Sequence, residues 1–299
     1  MISAEMGESL VKETDIAIMV SQQFSEHPYE DDLALKKALE ESGYGAEIVA
    51  WDNRDFDFSY CHLAIIRSCW DYDQRIDEFL EKMQTIAQNT ILVNDIKVVI
   101  HNYRKEYLLE MNKMGIETVP TRFVRKMGEI ESALQFIKSD DIIIKPAISA
   151  SGKNTFRVHK KDIKRCYRIV KTILNKTTAM IQEYIRSIEI CGEKSVVVIN
   201  GEITYAMLKK PHRNGFLVHI HHGGTYFPDR VEEDELEFIQ KIIKTFDQQP
   251  AYMRIDLLRD EDTRKIFLPE LELIEPNLYL SKNKRGLELL SKYLISRLP

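Results

Sequence analysis

The sequence predicts a protein of mixed α/β and α+β class: an α/β domain over residues 1–96, then α+β lobes over residues 97–184 and 185–299. Three observations carry this. Strand and helix patterns alternate up to residue 93, which favours a mainly parallel sheet. In the last lobe, residues 196–200, the pair Gly201-Glu202 and residues 203–207 give the clearest hairpin signal in the chain. A length of 299 residues also exceeds one ordinary core.

In the first domain, residues 16–20 read as a buried strand. Leu33, Leu35, Ala38 and Leu39 have helical spacing within 31–42, closed by Gly43. Strands at 46–51 and 63–67, a helix at 75–89 and a strand at 90–93 complete it. The second part opens with a single helix over 97–115, read from Val98, Val99, Tyr103, Tyr107, Leu108 and Met111 and ended by Gly115. A strand at 118–125, a helix at 130–138, strands at 141–145 and 155–159, a helix at 161–174 and a strand at 180–184 follow. The last part holds strands at 195–200, 201–209, 216–220, 252–258 and 265–273, with helices at 232–246 and 284–296.

Composition excludes several classes. Hydrophobic residues make up 44% and charged residues 30%, and no apolar run approaches the roughly 20 residues that cross a bilayer. The first fifteen residues carry acids where a secretory signal needs a basic start, so a short mobile tail and a cytoplasmic protein are expected. Cys61, Cys69, Cys166 and Cys191 are scattered and read as reduced thiols. A net charge of -5 gives no general attraction to nucleic acid, and the run Lys160, Lys161, Lys164, Arg165 reads as a solvated helix face.

The chemistry concentrates near the C-terminus. Arg254 and Asp256 share one strand face, and Glu270 and Glu272 share another. Asp256 facing the two glutamates makes an oxygen cage suited to magnesium. Upstream, the apolar strand 142–144 ends in Lys145 and runs into the small-residue loop 147–154, whose N–H groups can approach phosphates. A lysine capping an edge strand and an ordinary flexible turn are the plain alternatives. The segment 181–185 reads as a linker whose backbone meets an adenine edge, and Glu189 or Glu193 as a ribose acceptor, unless these acids simply face solvent. His219, His221 and His222 lack a spaced third zinc ligand, so a phosphate or substrate contact is the preferred role. The turn Arg67-Ser68-Cys69-Trp70-Asp71-Tyr72 follows a strand end, where α/β sheets bind ligands, and Cys69 has no local histidine to make it a nucleophile.

Taken in order, these parts resemble the ATP-grasp superfamily over roughly residues 97–280. RSCWDY, VPT, IIKPAISASG, GEKSVVVINGEI, KKP and ELELIEPNLYL are more specifically similar to the family of the cycloserine biosynthesis ATP-grasp ligase. The resemblance implies a pre-ATP-grasp domain followed by two lobes clasping ATP. It places Lys105 and Lys145 on the α and β phosphates and the loop Ser149, Ser151, Gly152 over the γ phosphate. It gives Glu183 and Ile185 to adenine and Glu193 to ribose. It assigns Lys209 and Arg254 to catalysis on the phosphates or acyl phosphate, and Asp256, Glu270 and Glu272 to one or two magnesium ions, with manganese as a substitute. Glu275 and Asn277 form a competing metal pair, disfavoured because 270 and 272 better suit one hairpin with Asp256.

Two departures stand out. Arg104 replaces an expected aspartate, and Leu217 stands where relatives often carry an arginine, a charge that Arg213 is placed to replace. The implied activity is an ATP-dependent carboxylate–amine or carboxylate–nucleophile ligase, forming an acyl phosphate on a small amino acid or peptide-like substrate and releasing ADP and phosphate. The alternatives are a nucleotide-binding regulatory protein of altered catalysis and a phosphotransferase of the same fold. Implied partners are the two small-molecule substrates, with no nucleic acid, no membrane and room for a homodimer.

Overall fold

A computed structural model describes residues 14–213 and 215–299. Residues 1–13 of the expected mobile tail lie outside the described residues. The first sheet is built from β1 (Thr14–Val20), α1 (Gln22–Glu26), α2 (Glu30–Glu41), β2 (Ala46–Ala50), β3 (Cys61–Ile66), α3 (Ile76–Asn89) and β4 (Ile91–Val93). Its four strands run parallel in the order β2-β1-β3-β4, as the alternation of strand and helix predicts.

The helix expected over 97–115 is broken into α4 (Ile96–Asn102) and α5 (Tyr107–Lys113). At the break the Lys105 N–H leaves the helical ladder and donates to the Ala147 carbonyl at 3.0 Å. The interruption thereby carries the Lys105 side chain into the cleft. Periodicity missed it because Tyr103 and Tyr107 keep apolar spacing across the gap.

Next come β5 (Thr121–Val124), α6 (Ile130–Phe136), β6 (Asp141–Pro146), β7 (Phe156–His159), α7 (Ile163–Leu174) and β8 (Ala179–Glu183). Their antiparallel sheet has the order β5-β8-β6-β7. The third sheet comprises β9 (Glu193–Ile199), β10 (Glu202–Lys210), β11 (Thr225–Asp229), β12 (Tyr252–Arg259) and β13 (Ile266–Glu272), ordered β11-β10-β9-β12-β13. Helices α8 (Glu233–Ile243) and α9 (Lys284–Ile295) complete the chain.

The strand expected at 216–220 does not form. That segment is irregular and leads into a 3₁₀ turn at Ile220–His222, stopped by Gly223 at φ +82°. The partner of β10 is β11 instead, an edge strand that tolerates Pro228 and whose signal that proline hid. Leu290 and Leu294 of α9 pack with Leu35 and Leu39 of α2, and the same core continues into Val197, Tyr252 and Leu278. The first and last thirds of the sequence therefore share one hydrophobic interior. Among the described residues, no helix is long and apolar enough to cross a membrane.

Candidate active site

The antiparallel register sets Arg254 opposite Glu272 and Asp256 opposite Glu270. Because side chains alternate, all four project from one face of the third sheet. Asp256 is buried and accepts from Arg254 Nε and Nη2, both at 2.9 Å, and from Ser195 Oγ at 2.5 Å. Lys209 Nζ lies 3.4 Å from Asp256 and 2.5 Å from Glu193. Burial opposes charge at Asp256, yet Arg254 and Lys209 together hold its carboxyl well below the usual carboxylate range. Burial instead pushes Glu272 up to about 7, against the pull of Arg254, with which it is in contact.

β13 is an edge strand: on its outer side Leu268 bonds to the backbone of Glu117 and Val119, and beyond it buried side chains take the place of a neighbour. Asn102 donates to the Leu271 carbonyl at 2.9 Å and accepts from Leu273 N at 3.0 Å. The Tyr107 hydroxyl accepts from Leu271 N at 2.9 Å, and Asn94 donates to the Leu273 carbonyl at 2.7 Å. With those backbone groups satisfied, Glu270 and Glu272 are fixed in register without a fourteenth strand.

Two adjoining cavities flank this face. The smaller, about 120 Å³, is lined by all eight residues expected at a nucleotide: Lys105, Lys145, Ser149, Ser151, Gly152, Glu183, Ile185 and Glu193. Lys105 Nζ donates to the Ser149 carbonyl at 2.8 Å and pairs with Glu270 at 3.0 Å. Among the described residues, Lys145 has no carboxylate in salt-bridge contact, and burial pushes its ammonium pKa down. The loop after it winds through positive φ at Ser151 (+56°), Gly152 (+68°) and Asn154 (+54°). A Cβ on Gly152 would stand 3.0 Å from the His219 ring, a contact tight enough that the ring would have to shift, so glycine at this positive φ favours close approach of the two segments. His221 Nε2 lies 3.0 Å from the Ser151 carbonyl, and Lys153 Nζ donates to the Trp70 carbonyl at 3.2 Å, tying the loop to both flanks.

Three expectations are refined here. The Glu183 carboxylate accepts from Lys138 N at 2.7 Å and its own N–H donates to the Pro120 carbonyl at 2.9 Å, so neither group is open to a ligand. Glu189 is held by Arg157 and the Tyr184 hydroxyl, each at 2.7 Å, and lines neither cavity, whereas Glu193 faces the cleft. Among the described residues, no three His, Cys, Asp or Glu side chains are gathered as a metal cluster. Asp256, Glu270 and Glu272 share a face, but each is already paired: Glu270 with Lys105, Glu272 with Arg254, and Asp256 with both Arg254 and Lys209.

The larger cavity, about 360 Å³, is walled by Tyr29, Trp70, Tyr72, Tyr226 and Tyr279 and reached by Lys209, Arg254 and Glu275. Lys105, Ser149, Ser151, His219, Glu270 and Glu272 line both cavities and form their common wall. The turn 67–72 thus supplies Trp70 and Tyr72, while Cys69 is fully buried, donates to the Met19 carbonyl at 3.3 Å and has its thiol pushed up by burial. Asn277 donates to the Tyr29 hydroxyl at 2.9 Å and accepts from Tyr279 N at 2.8 Å, so it is committed to the wall rather than to a metal. Leu217 lines the smaller cavity where an arginine was expected, and Arg213 is exposed and lines neither. His219 occupies that junction instead, with an unpartnered Nδ1 and a pKa that burial lowers to about 3. The motifs RSCWDY and ELELIEPNLYL contain Trp70, Tyr72 and Tyr279 but gave these rings no wall role, and Tyr29 and Tyr226 carry no motif of their own.

The family model of the prokaryotic glutathione synthetase ATP-grasp domain matches residues 105–261, more than half of the chain. That of the N-terminal domain of D-cycloserine synthetase DcsG matches residues 16–94. The cycloserine biosynthesis protein DcsG of Streptomyces lavendulae is 24% identical over 290 residues, covering 88% of this chain and 92% of that relative. The crystal structure of D-cycloserine synthetase DcsG superposes with a TM-score of 0.84 at 21% identity, covering 95% of this chain and 99% of that one. D-alanyl-alanine synthetase A from Vibrio cholerae superposes with a TM-score of 0.69 at 13% identity, covering 95% and 97%. Both superpositions speak to a shared fold.

Proposed function

Because this chain belongs to the family of the prokaryotic glutathione synthetase ATP-grasp domain and is an ADP-forming ATP-grasp ligase, we propose that it activates a small carboxylate as an acyl phosphate and transfers the acyl group to an amine. The observation that carries this reading is the common wall: a cavity bearing an unpaired lysine adjoins a second, larger one across Lys105, Glu270 and His219. ATP in the smaller cavity would direct its phosphates toward Lys105 and Lys145, with the base against Ile185 and the Glu183 carbonyl and the ribose near Glu193.

Asp256, Glu270 and Glu272 are an all-oxygen donor set on one sheet face, which fits magnesium, with manganese as a substitute. A bound ion would neutralise charge on the phosphate oxygens. Occupying those carboxylates frees Lys105 and Arg254 from their present pairs, and these are the cations assigned to phosphate. The substrate carboxylate attacks the γ phosphorus and the bond to the ADP oxygen breaks. The amine then attacks the acyl carbon, phosphate leaves and the amine gives up a proton, so the products are an amide, ADP and phosphate. Lys209 and Arg254 steady the anionic groups at the junction. The loop at 149–152, latched by His221, keeps water from the acyl phosphate.

Leu217 favours a second reading, a nucleotide binder of altered catalysis, and a phosphotransferase would instead accumulate a phosphorylated product. ADP and phosphate release stimulated by amino acids or dipeptides, with a condensed product seen by mass spectrometry, supports the ligase. Nucleotide binding with no stimulated turnover refutes it. Cys61, Cys69, Cys166 and Cys191 form no disulfide among the described residues, which suits a reducing cytoplasmic setting for small-molecule substrates.

A further inference from the structure

We propose that the larger cavity selects a substrate carrying a free amine, whose ammonium group is anchored by Glu275 within the aromatic wall. This deepens the ligase reading and rests on it. The argument is a charge count. In that cavity Lys105 pairs with Glu270, Lys209 with Glu193 and Asp256, and Arg254 with Asp256 and Glu272. Glu275 is the acid left over. It is only 9% exposed, its carboxyl has no ion pair among the described residues, and burial pushes its pKa well above the usual carboxylate range. A buried carboxylate without a counter-charge costs stability, and such a group persists where a ligand supplies the missing charge.

The main chain at Glu275 is pinned. Its carbonyl accepts from Trp70 Nε1 at 2.9 Å, and the next carbonyl, Pro276, accepts from Arg67 Nη2 at 2.8 Å. Trp70 meets Tyr29 edge to face with centroids 5.0 Å apart, and Asn277 holds the Tyr29 hydroxyl. These rings give a cation a π-rich surround. Glu275 lines the larger cavity and not the smaller, so nucleotide and metal, which re-pair Lys105, Glu270 and Glu272, leave it unmatched. An amine held as ammonium by a carboxylate has no lone pair for attack. The anchored group is therefore a bystander amine of the substrate, which makes that substrate an amino acid rather than a hydroxy acid or an N-acylated one.

The test uses the whole chain with ATP and magnesium. Phosphate release is measured with D- and L-amino acids, singly and in pairs, each beside its N-acetyl and 2-hydroxy analogue. Free amino acids should drive release and their analogues should fall short by about tenfold or more, the range expected for a lost charge-assisted hydrogen bond. Glu275→Gln should lose about tenfold in kcat/KM for the free amino acid and nothing for the N-acetyl analogue, while Glu275→Asp retains the preference. Calorimetric titration with ATP and magnesium should give the same affinity for wild type and Glu275→Gln. Analogues as effective as the amino acids, or an amine preference unchanged in Glu275→Gln, overturn the proposal while the ligase reading stands. Were the Gln variant to misfold, the wild-type comparison of analogues would still decide. Wild-type protein that binds no ATP with magnesium overturns both.

Discussion

Replacing Lys145 by methionine should move nucleotide affinity and protein stability in opposite directions. The substitution keeps most of the aliphatic stem and removes the charge, so packing changes little. Among the described residues, no carboxylate contacts this ammonium, and burial lowers its pKa, so the folded state without ligand carries a cation it is poorly equipped to hold. A base whose folded pKa lies below its unfolded value binds protons better when unfolded, so near neutral pH the charge works against folding. Removing it should leave the melting temperature of the ligand-free protein unchanged or raised. With nucleotide present, the variant forfeits a charge-assisted bond of about 1.5–3 kcal/mol, which weakens ADP roughly 10- to 150-fold. Calorimetry with ADP and magnesium, beside thermal melts of the free protein, reads both. ADP affinity within about twofold of wild type would refute the phosphate role, and a melting temperature lowered by several degrees would show that Lys145 serves the fold.

Asp256→Asn removes the negative partner of Arg254 and Lys209 and should abolish ADP release and destabilise by about 3–5 kcal/mol in urea titrations. Gly152→Ala, at φ +68° and 3.0 Å from the His219 ring, should reduce kcat/KM about tenfold or more by propping the loop open, while the unfolding free energy from urea titration changes by no more than about 1 kcal/mol. Burial pushes Asp32 from 3.8 up to about 6, against the pull of Arg67. An acid with a raised folded pKa stabilises below its unfolded value and loses that stability as pH rises, here between about 4 and 6 and by about 3 kcal/mol. Asp32→Asn should flatten that part of the stability–pH profile, as read from melting temperatures across the window.

The cleft was legible where chemistry repeats along one strand. Lys145 ends an apolar run, and the acids at 270 and 272 alternate with leucines, so strand period alone placed them on a common face. What escaped detection depended on contacts between distant segments. The break at 103–106 is invisible to helical spacing because its cause is the Ala147 carbonyl, some forty residues away in sequence, which takes the Lys105 N–H. The strand at 225–229 escaped because an edge position tolerates a proline that argues against a strand in isolation. The leucine at 217 was visible, but the placing of His219 beside it depends on how the loop 216–224 folds back onto Gly152.

The same logic explains why the parallel domain is more than an appendage. The outer edge of β13 would expose the N–H and C=O groups of Leu271 and Leu273 were it not for Asn94, Asn102 and Tyr107. Asn94 follows directly after β4, and it also binds the Tyr252 carbonyl and the Ala251 N–H at the start of β12. Tyr252 in turn places its hydroxyl 2.8 Å from both the Ile66 carbonyl, at the end of β3, and that of Ile274, either of which can accept its one proton. One set of buried hydrogen bonds thus runs from the C-terminal ends of the parallel strands to the two strands bearing Arg254, Asp256, Glu270 and Glu272. Each of these bonds, left unmade, would strand a polar group in the interior at a cost of about 1–3 kcal/mol, so register in the third sheet and docking of the first are one constraint. A carboxylate set that must exchange lysine and arginine for nucleotide and metal has to do so without its strands slipping, and this network is what prevents the slip.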